Sequence, residues 1–241
     1  MTERETGYLS EFELQALRQV STASLTTQLL KRGLQNTFMQ GVTPLRPDLR
    51  MVGYAFTLRY IPAREDLDRS TDYDNWTNPQ RVAVESVGPQ DVLVIDARGD
   101  LSAASLGHIL MTRVMQRGAA GVVSDGAFRD SPGISTLDLP TYSSGMNGTT
   151  SFVSHHPMDM NLPIGCGGVA VFPGDVIVGD AEGVVVIPRH LASEVARDTY
   201  EQDYFENWAL ERVRAGASIR GTYPPDAETR AEYDAWRATQ P

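Results

Sequence analysis

An α/β domain is the fold class this sequence predicts, and three stretches carry that prediction. Asp91-Val92-Leu93-Val94-Ile95-Asp96 is a short unbroken apolar run, the pattern of a strand buried on both faces. Leu106 to Gln116 places Leu106, Leu110 and Val114 on one helical face, with Gly118 set to stop it. Gly121 to Ser124 is a second apolar strand. A strand–helix–strand unit of about 30 residues favours parallel pairing of its two strands.

The remaining elements follow in order. Ser10 to about Val20 reads as a helix with Phe12, Leu14 and Leu17 apolar. Ser24 to Arg32 reads as another, Ser24 capping its start and Gly33 lying just past its end. From Arg50 to Arg59, alternation sets Val52, Tyr54, Phe56 and Leu58 on one face of a strand. Ile61 to Gln80 is the longest irregular stretch. It carries Asp66, Asp68, Asp72 and Asp74, but lacks the central glycine and terminal glutamate of a calcium loop, so it is expected to be a solvated loop or lid. Ser143-Ser144-Gly145 and Asn147-Gly148 also read as loop. Val169–Phe172, Val176–Val178 and Val184–Ile187 are short strands separated by turn residues, an expected antiparallel meander. His190 to Ala215 is helical, and a tail containing Tyr223-Pro224-Pro225 runs on to Trp236. The expected organisation is one domain over 1–241, with a core at about 25–190 and helical extensions at both ends.

Composition narrows the function. The 241 residues are 41% hydrophobic and 22% charged, as in an ordinary globular protein, and the net charge of -10 argues against a non-specific nucleic-acid binder. No apolar run approaches the length of a membrane span, and the N-terminus lacks the apolar centre of a signal peptide. No membrane partner, no nucleic-acid partner and a cytoplasmic location are expected. Cys166 is the only cysteine, so no intrachain disulfide can form; it is expected to be a buried structural thiol. His155-His156 resembles a metal pair, but adjacent residues on a regular element do not face one site.

The chemistry concentrates between Gly107 and Asp130. Gly107 opens the helix whose first amides can hold an anion, and it permits close backbone approach. Arg129-Asp130 ends the following strand. A guanidinium grips a carboxylate bidentately; a lone carboxylate is a poor metal cage, but magnesium often uses one or two carboxylates and keeps several waters, some of which an oxoacid can replace. Open α/β sheets bind ligands at the carboxyl ends of their strands, where both halves of this pattern fall.

The same segments carry a family resemblance. Met51 to Thr57, Asp91 to Asp100, Gly107 to Leu110, Gly118 to Asp130, and Gly167-Gly168-Val169 through Pro173-Gly174-Asp175 to Pro188 occur in an order that resembles the family of RraA and the class II 4-hydroxy-4-methyl-2-oxoglutarate/4-carboxy-4-hydroxy-2-oxoadipate aldolases. The likeness covers roughly Leu25 to Gly216. It implies a central mixed sheet similar to swivelling phosphohistidine domains. It also implies a homotrimer or homohexamer with sites between subunits, the C-terminal helix and tail touching a neighbour.

By that resemblance the function is a divalent-metal-dependent lyase that cleaves or decarboxylates a pyruvate-yielding 2-oxoacid through an enolate. Gly107, His108, Ile109 and Leu110 would bind the substrate carboxylate through their backbone. Arg129 would bind substrate and stabilise the enolate, and Asp130 would hold Mg2+ or Mn2+. A glutamate from a neighbouring subunit's C-terminal helix, Glu206 or else Glu211, would hold a water on the metal. His108 stands where the aldolases usually carry an acidic residue; it could take over acid–base work or mark a different substrate. Lys31 is the only lysine and lies far from the motif, consistent with chemistry that needs no Schiff base. Two other functions fit the pattern: a regulator that binds a ribonuclease, as RraA does, and a metal-assisted dehydratase or other lyase on a sugar-derived oxoacid.

Overall fold

The computed structural model describes residues 8–69 and 74–240. In chain order the elements are helices α1 (Glu11–Gln19) and α2 (Thr22–Lys31), strands β1 (Thr43–Pro44) and β2 (Met51–Pro62), helix α3 (Pro79–Ser86), strands β3 (Asp91–Asp96) and β4 (Ala104–Leu106), helix α4 (His108–Gln116), strand β5 (Gly121–Phe128) and the one-turn helix α5 (Ser131–Ile134). Strands β6 (Thr141–Met146), β7 (His155–Met160), β8 (Ile164–Cys166), β9 (Val169–Val171), β10 (Val176–Gly179) and β11 (Val184–Ile187) follow, then helices α6 (Ala192–Arg214), α7 (Ile219–Thr222) and α8 (Ala227–Arg237).

Within the described residues, one mixed sheet runs β1-β6-β5-β3-β2-β10-β11, with β4 added to β5 and β7 added to β2. β2, β3, β5 and β6 are parallel to one another, and β7, β10 and β11 pair antiparallel. The expected parallel unit is therefore present: β3 and β5 pair from Val92↔Gly121 to Ile95↔Ser124. The continuous apolar run of β3 has a direct cause. Leu93 and Ile95 pack under α3, α4 and α5, while Val92 and Val94 meet Tyr142, Cys166 and Ile177 on the opposite face. Neither face meets water, so neither needs polar residues. On β2 the alternating set divides along its length. Val52 and Tyr54 face the layer of α1, α2 and α6, whereas Phe56 and Leu58 face that of α3 and α4.

Several sequence expectations are corrected. α2 starts at Thr22, not Ser24, because Ser21 is the cap and its hydroxyl accepts from Ser24 N at 3.0 Å. Leu106 belongs to β4 rather than to the helix. β5 continues to Phe128, since its second half still has partners in β4 and β6. Residues 143–145 are strand β6, not loop. β9 leaves the expected meander and pairs with β8 as a separate ribbon, so only β10 and β11 form the hairpin. In the 61–80 stretch β2 reaches Pro62 and α3 begins at Pro79; Asp72 lies outside the described residues. Asp66 there pairs with Arg64, Asp68 with His156, and Asp74 accepts from Trp76 N and Thr77 Oγ1.

The N-terminal helix is tied down by one carboxylate. Glu13 closes a capping box with Ser10 and also receives Ser193 Oγ and Arg197 from α6. Burial alone would raise its pKa, but the hydrogen bonds from Ser193, Ser10 and Arg197 outweigh burial and hold it down to about 2 from the usual 4.5. A depressed carboxyl stabilises the fold fully above its unfolded pKa and loses that stabilisation as pH falls through the folded value. Glu13→Gln is therefore expected to cost up to about 3 kcal/mol at neutral pH. Its deficit relative to the parent should fade as pH falls from 4.5 toward 2. Denaturant unfolding at stepped pH reads this directly, and a deficit that stays constant across the window would refute the assignment.

Candidate active site

The register of two parallel strands builds the site. β4 and β5 pair with Leu106 beside Phe128, and Arg129 N donates to Leu106 O at 3.1 Å. The next residue on each strand is therefore a neighbour: Gly107 lies against Arg129 and Asp130. A Cβ on Gly107 would stand 2.8 Å from Asp130 Oδ2 and 3.0 Å from Arg129 Nε. The first is closer than real side chains come and the second is tight, so glycine lets these two side chains close over the start of α4 without being displaced.

Asp130 has an unusual setting. It is the N-cap of α5 in the left-handed region (φ 63°, ψ 34°), yet its side chain does not cap that helix. An Asp at an N-cap ordinarily accepts from its own helix. Here the carboxylate turns away, and Oδ2 accepts from His108 N, the first amide of α4, at 3.2 Å. Arg129 Nε lies 3.5 Å from the same oxygen. Asp130 Oδ1 has no hydrogen bond among the described residues. Half-exposed ion pairs of this kind contribute about 0–1 kcal/mol, so the arrangement does little for stability.

These groups line a cleft of about 250 Å3. Gly107, Ile109, Leu110, Arg129 and Asp130 all contribute to it. Gly107 brings no side-chain cap to α4, and the amides of Ile109 and Leu110 precede the first bond of its ladder, from Met111 N to Gly107 O at 3.1 Å. The helix start thus offers backbone donors and its positive dipole end to an anion.

His108 and Glu206 lie outside the lining of this chain's own cleft. The His108 ring stacks on the Cα of Gly133, where a Cβ would approach Nδ1 to 2.5 Å, and His108 does not line the cleft. Its amide donates to Asp130 Oδ2 at 3.2 Å. Glu206 lies on α6 beside a separate groove with Tyr223 and Lys31; it accepts from Tyr223 Oη at 2.9 Å and from Gln202 Nε2 at 2.8 Å. Glu211 pairs with Arg214 on the same helix. The tail folds back on its own chain, Tyr233 packing edge-on against Phe205 of α6.

Gln80, Arg81, Ser151 and Phe152 also line the cleft and were not expected from sequence. Asn78-Pro79 carried a usable signal for the first two, since a capping residue followed by proline marks a helix start. Nothing local marks Ser151 and Phe152, which arrive through the chain leading into β7. His155 and His156 point apart as expected: His155 is buried against Ala103 O at 3.0 Å and His156 meets Asp68 at 2.7 Å. Cys166 is fully buried, and burial pushes its thiol well above the ordinary range.

Among the described residues, no group of three or more His, Cys, Asp or Glu side chains is placed to hold a metal, and no helix is long and apolar enough to cross a membrane. The donor set fits a hard cation held by one carboxylate and retaining most of its waters, with Asp130 Oδ1 available to it.

Fold and site together define an α/β domain with an anion seat and a single carboxylate at the ends of adjacent parallel strands. Residues 22–186 match the family model described as RraA-like, Aldolase/RraA, and the chain belongs to that family. Over 191 residues it is 34% identical to a protein of Halalkalibacterium halodurans named "Putative 4-hydroxy-4-methyl-2-oxoglutarate aldolase", covering 78% of this chain and 80% of that one. The structure of Streptomyces coelicolor RraAS2, described as an unusual member of the RNase ES inhibitor RraA protein family, superposes with a TM-score of 0.74 at 30% identity, over 83% of this chain and 96% of that one. An uncharacterized protein from Pseudomonas syringae pv. tomato shares the fold at a TM-score of 0.77 and 24% identity, over 89% of this chain and 98% of that one.

Proposed function

We propose that the protein is a divalent-metal-dependent carbon–carbon lyase that cleaves or decarboxylates a 2-oxoacid to yield pyruvate. The observation that carries this reading is the convergence of α4's first amides, Arg129 and Asp130 in one cleft, across a glycine whose missing side chain lets them approach. The amides of Ile109 and Leu110 receive the substrate carboxylate. Arg129 donates to the keto oxygen, where negative charge grows as the bond to C3 breaks. Donors fixed before the reaction at a point of developing charge stabilise the transition state more than the ground state. Mg2+ or Mn2+ at Asp130 would supply Lewis-acid stabilisation to the same oxygen.

His108 contributes its amide to Asp130 and thereby sets the carboxylate's direction. Glu206 would enter only from another copy within a trimer or hexamer. Arg129→Ala is expected to lower kcat/KM by roughly 10²–10³-fold, as for loss of one oxyanion donor; a change under threefold would remove Arg129 from this role.

The reading is tested by pyruvate release, coupled to lactate dehydrogenase, from oxaloacetate and from 4-hydroxy-4-methyl-2-oxoglutarate. Release with Mg2+ or Mn2+ that is lost in excess EDTA is the expected result. No release from either substrate by the folded protein would overturn it. The 30% identity to RraAS2 supports a second reading, contact regulation of a ribonuclease. Metal-independent binding to an RNase E-type protein, without pyruvate release, would favour that alternative.

A further inference from the structure

We propose that His155 is a positioning residue for the anion seat: its neutral ring anchors β4, the strand that leads into Gly107, and protonation of that ring at acid pH releases the anchor and shifts the seat. The inference rests on the lyase reading above only for its effect on turnover.

β4 is three residues long and, among the described residues, pairs with β5 alone. Side chains from other elements take the carbonyls that no strand partner reaches. Tyr60 Oη of β2 donates to Ser105 O at 3.0 Å, and Gln80 Nε2 of α3 donates to the same oxygen at 2.7 Å. His155, the first residue of β7, serves the head of the strand: its Nε2 lies 3.0 Å from Ala103 O. Ala103 and His155 are both shut off from water, so no solvent molecule replaces that bond when it is lost. The ring also packs on Tyr60, with centroids 5.3 Å apart, so the two anchors support each other. Further along the strand Leu106 O accepts from Arg129 N, and Gly107 follows. A movement at Ala103 is therefore carried along a short, singly paired strand to Gly107 and the first amides of α4.

The partners of the ring fix its protonation state. A carbonyl only accepts, so Nε2 carries the proton toward Ala103 O. On the other side Arg98 Nη2 lies 3.2 Å from Nδ1, and a guanidinium only donates, so Nδ1 is bare. An imidazolium would turn a second donor and a second positive charge toward Arg98. Arg98 is held in place by Ser154 O at 2.9 Å and Asp100 Oδ2 at 3.3 Å, on a backbone in the left-handed region (φ 63°). The charged groups facing the ring are thus Arg98 and Asp100, from the connection between β3 and β4, and Tyr60 is the titratable group beside it on β2. Across the adjoining cavity of about 220 Å3 stand Asp68, Arg69, Asp74 and His156, of which Asp68 pairs with His156. Burial lowers the His155 pKa from its usual 6.5 and Arg98 lowers it further, against the smaller opposing pulls of Ala103 O and Asp100. The ring therefore stays neutral near pH 7 and takes its second proton only below pH 6.5.

The test follows the 4 histidine rings and the backbone amides by proton–nitrogen correlation spectra of isotope-labelled protein, from about pH 8 to about pH 5. The His155 ring, assigned by its loss in His155→Gln, should carry its proton on Nε2 and charge with a midpoint below 6.5. The amides of Gly107, Ile109 and Leu110 should show a shift with that midpoint, distinct from the one that follows His108. His155→Gln should remove that component alone, since its side-chain amide donates to Ala103 O and accepts from Arg98 without titrating. Arg98→Met, which tests the same ring without altering it, should raise the midpoint. In the coupled assay with Mg2+, kcat/KM of the parent should fall by up to about tenfold for each pH unit below the midpoint, and His155→Gln should lack that acid limb. A proton on Nδ1, seat amides that do not follow the ring, an Arg98→Met midpoint that fails to rise, or an acid limb unchanged in His155→Gln would each overturn the proposal. If the amides follow His155 but no substrate releases pyruvate, the lyase reading fails and the positioning role stands.

Discussion

Asp130→Ala is expected to abolish metal-dependent pyruvate release while leaving a folded protein. Among the described residues the carboxylate is the only acidic side chain lining the cleft, and its Oδ1 is the oxygen open to a cation. Loss of the ion pair with Arg129 removes about 0–1 kcal/mol at this exposure. Alanine is also a poorer occupant of the left-handed conformation at this position, at a cost of about 1–2 kcal/mol. Both are small beside the stability of a domain of this size, so a thermal melt should show a modest decrease rather than collapse. Turnover that persists in the folded variant and still responds to EDTA would remove Asp130 from the metal site.

Gly107→Ala is expected to lower activity too, to a smaller degree and for a different reason. The backbone there is extended (φ -130°, ψ 177°), which alanine adopts freely, and alanine for glycine at an N-cap costs roughly 0.5–1 kcal/mol. The effect is purely local. The new methyl would meet Asp130 Oδ2 at 2.8 Å and Arg129 at 3.0 and 3.1 Å, so both side chains must withdraw from their positions. These are atoms of flexible side chains that need give by only some tenths of an ångström, and since 1 Å at reacting groups costs on the order of 10²-fold in rate, the smaller shift costs roughly 3- to 10-fold. The expected outcome is therefore a kcat/KM loss of that size with only a small decrease in melting temperature. Near-normal activity would mean that the packing of Arg129 and Asp130 on the helix start is not used in catalysis.

The parts of this fold that were legible in the sequence are those whose cause is local. β3 announced itself because both of its faces are buried, and α4 because its apolar spacing matches one packed face. Gly107, Arg129 and Asp130 could be grouped because a strand–helix–strand unit returns the chain to the same sheet end. What stayed hidden depends on partners distant in sequence. β6 looks like loop, with Ser143, Ser144 and Gly145, until β5 and β1 pair with it. The departure of β9 to β8 cannot be read from its own three residues. The place of α3 at the cleft was equally hidden, because its approach to β4 runs through the buried Gln80, whose amide reaches Tyr60 and Ser105. The direction of the His108 ring was equally unreadable, since it depends on the missing side chain at Gly133.

That last pairing reaches beyond this one molecule. The imidazole of His108 occupies the space that a side chain at 133 would need, so the two positions form a single steric unit. In a related chain with a short acidic residue at the first position, the second is free to carry a side chain of its own. A side chain at 133 beside histidine at 108 would therefore turn the imidazole out of its present place. Divergence within this fold would leave its trace as a correlated pair flanking Asp130 from two different helices, outside the cleft that the substrate touches.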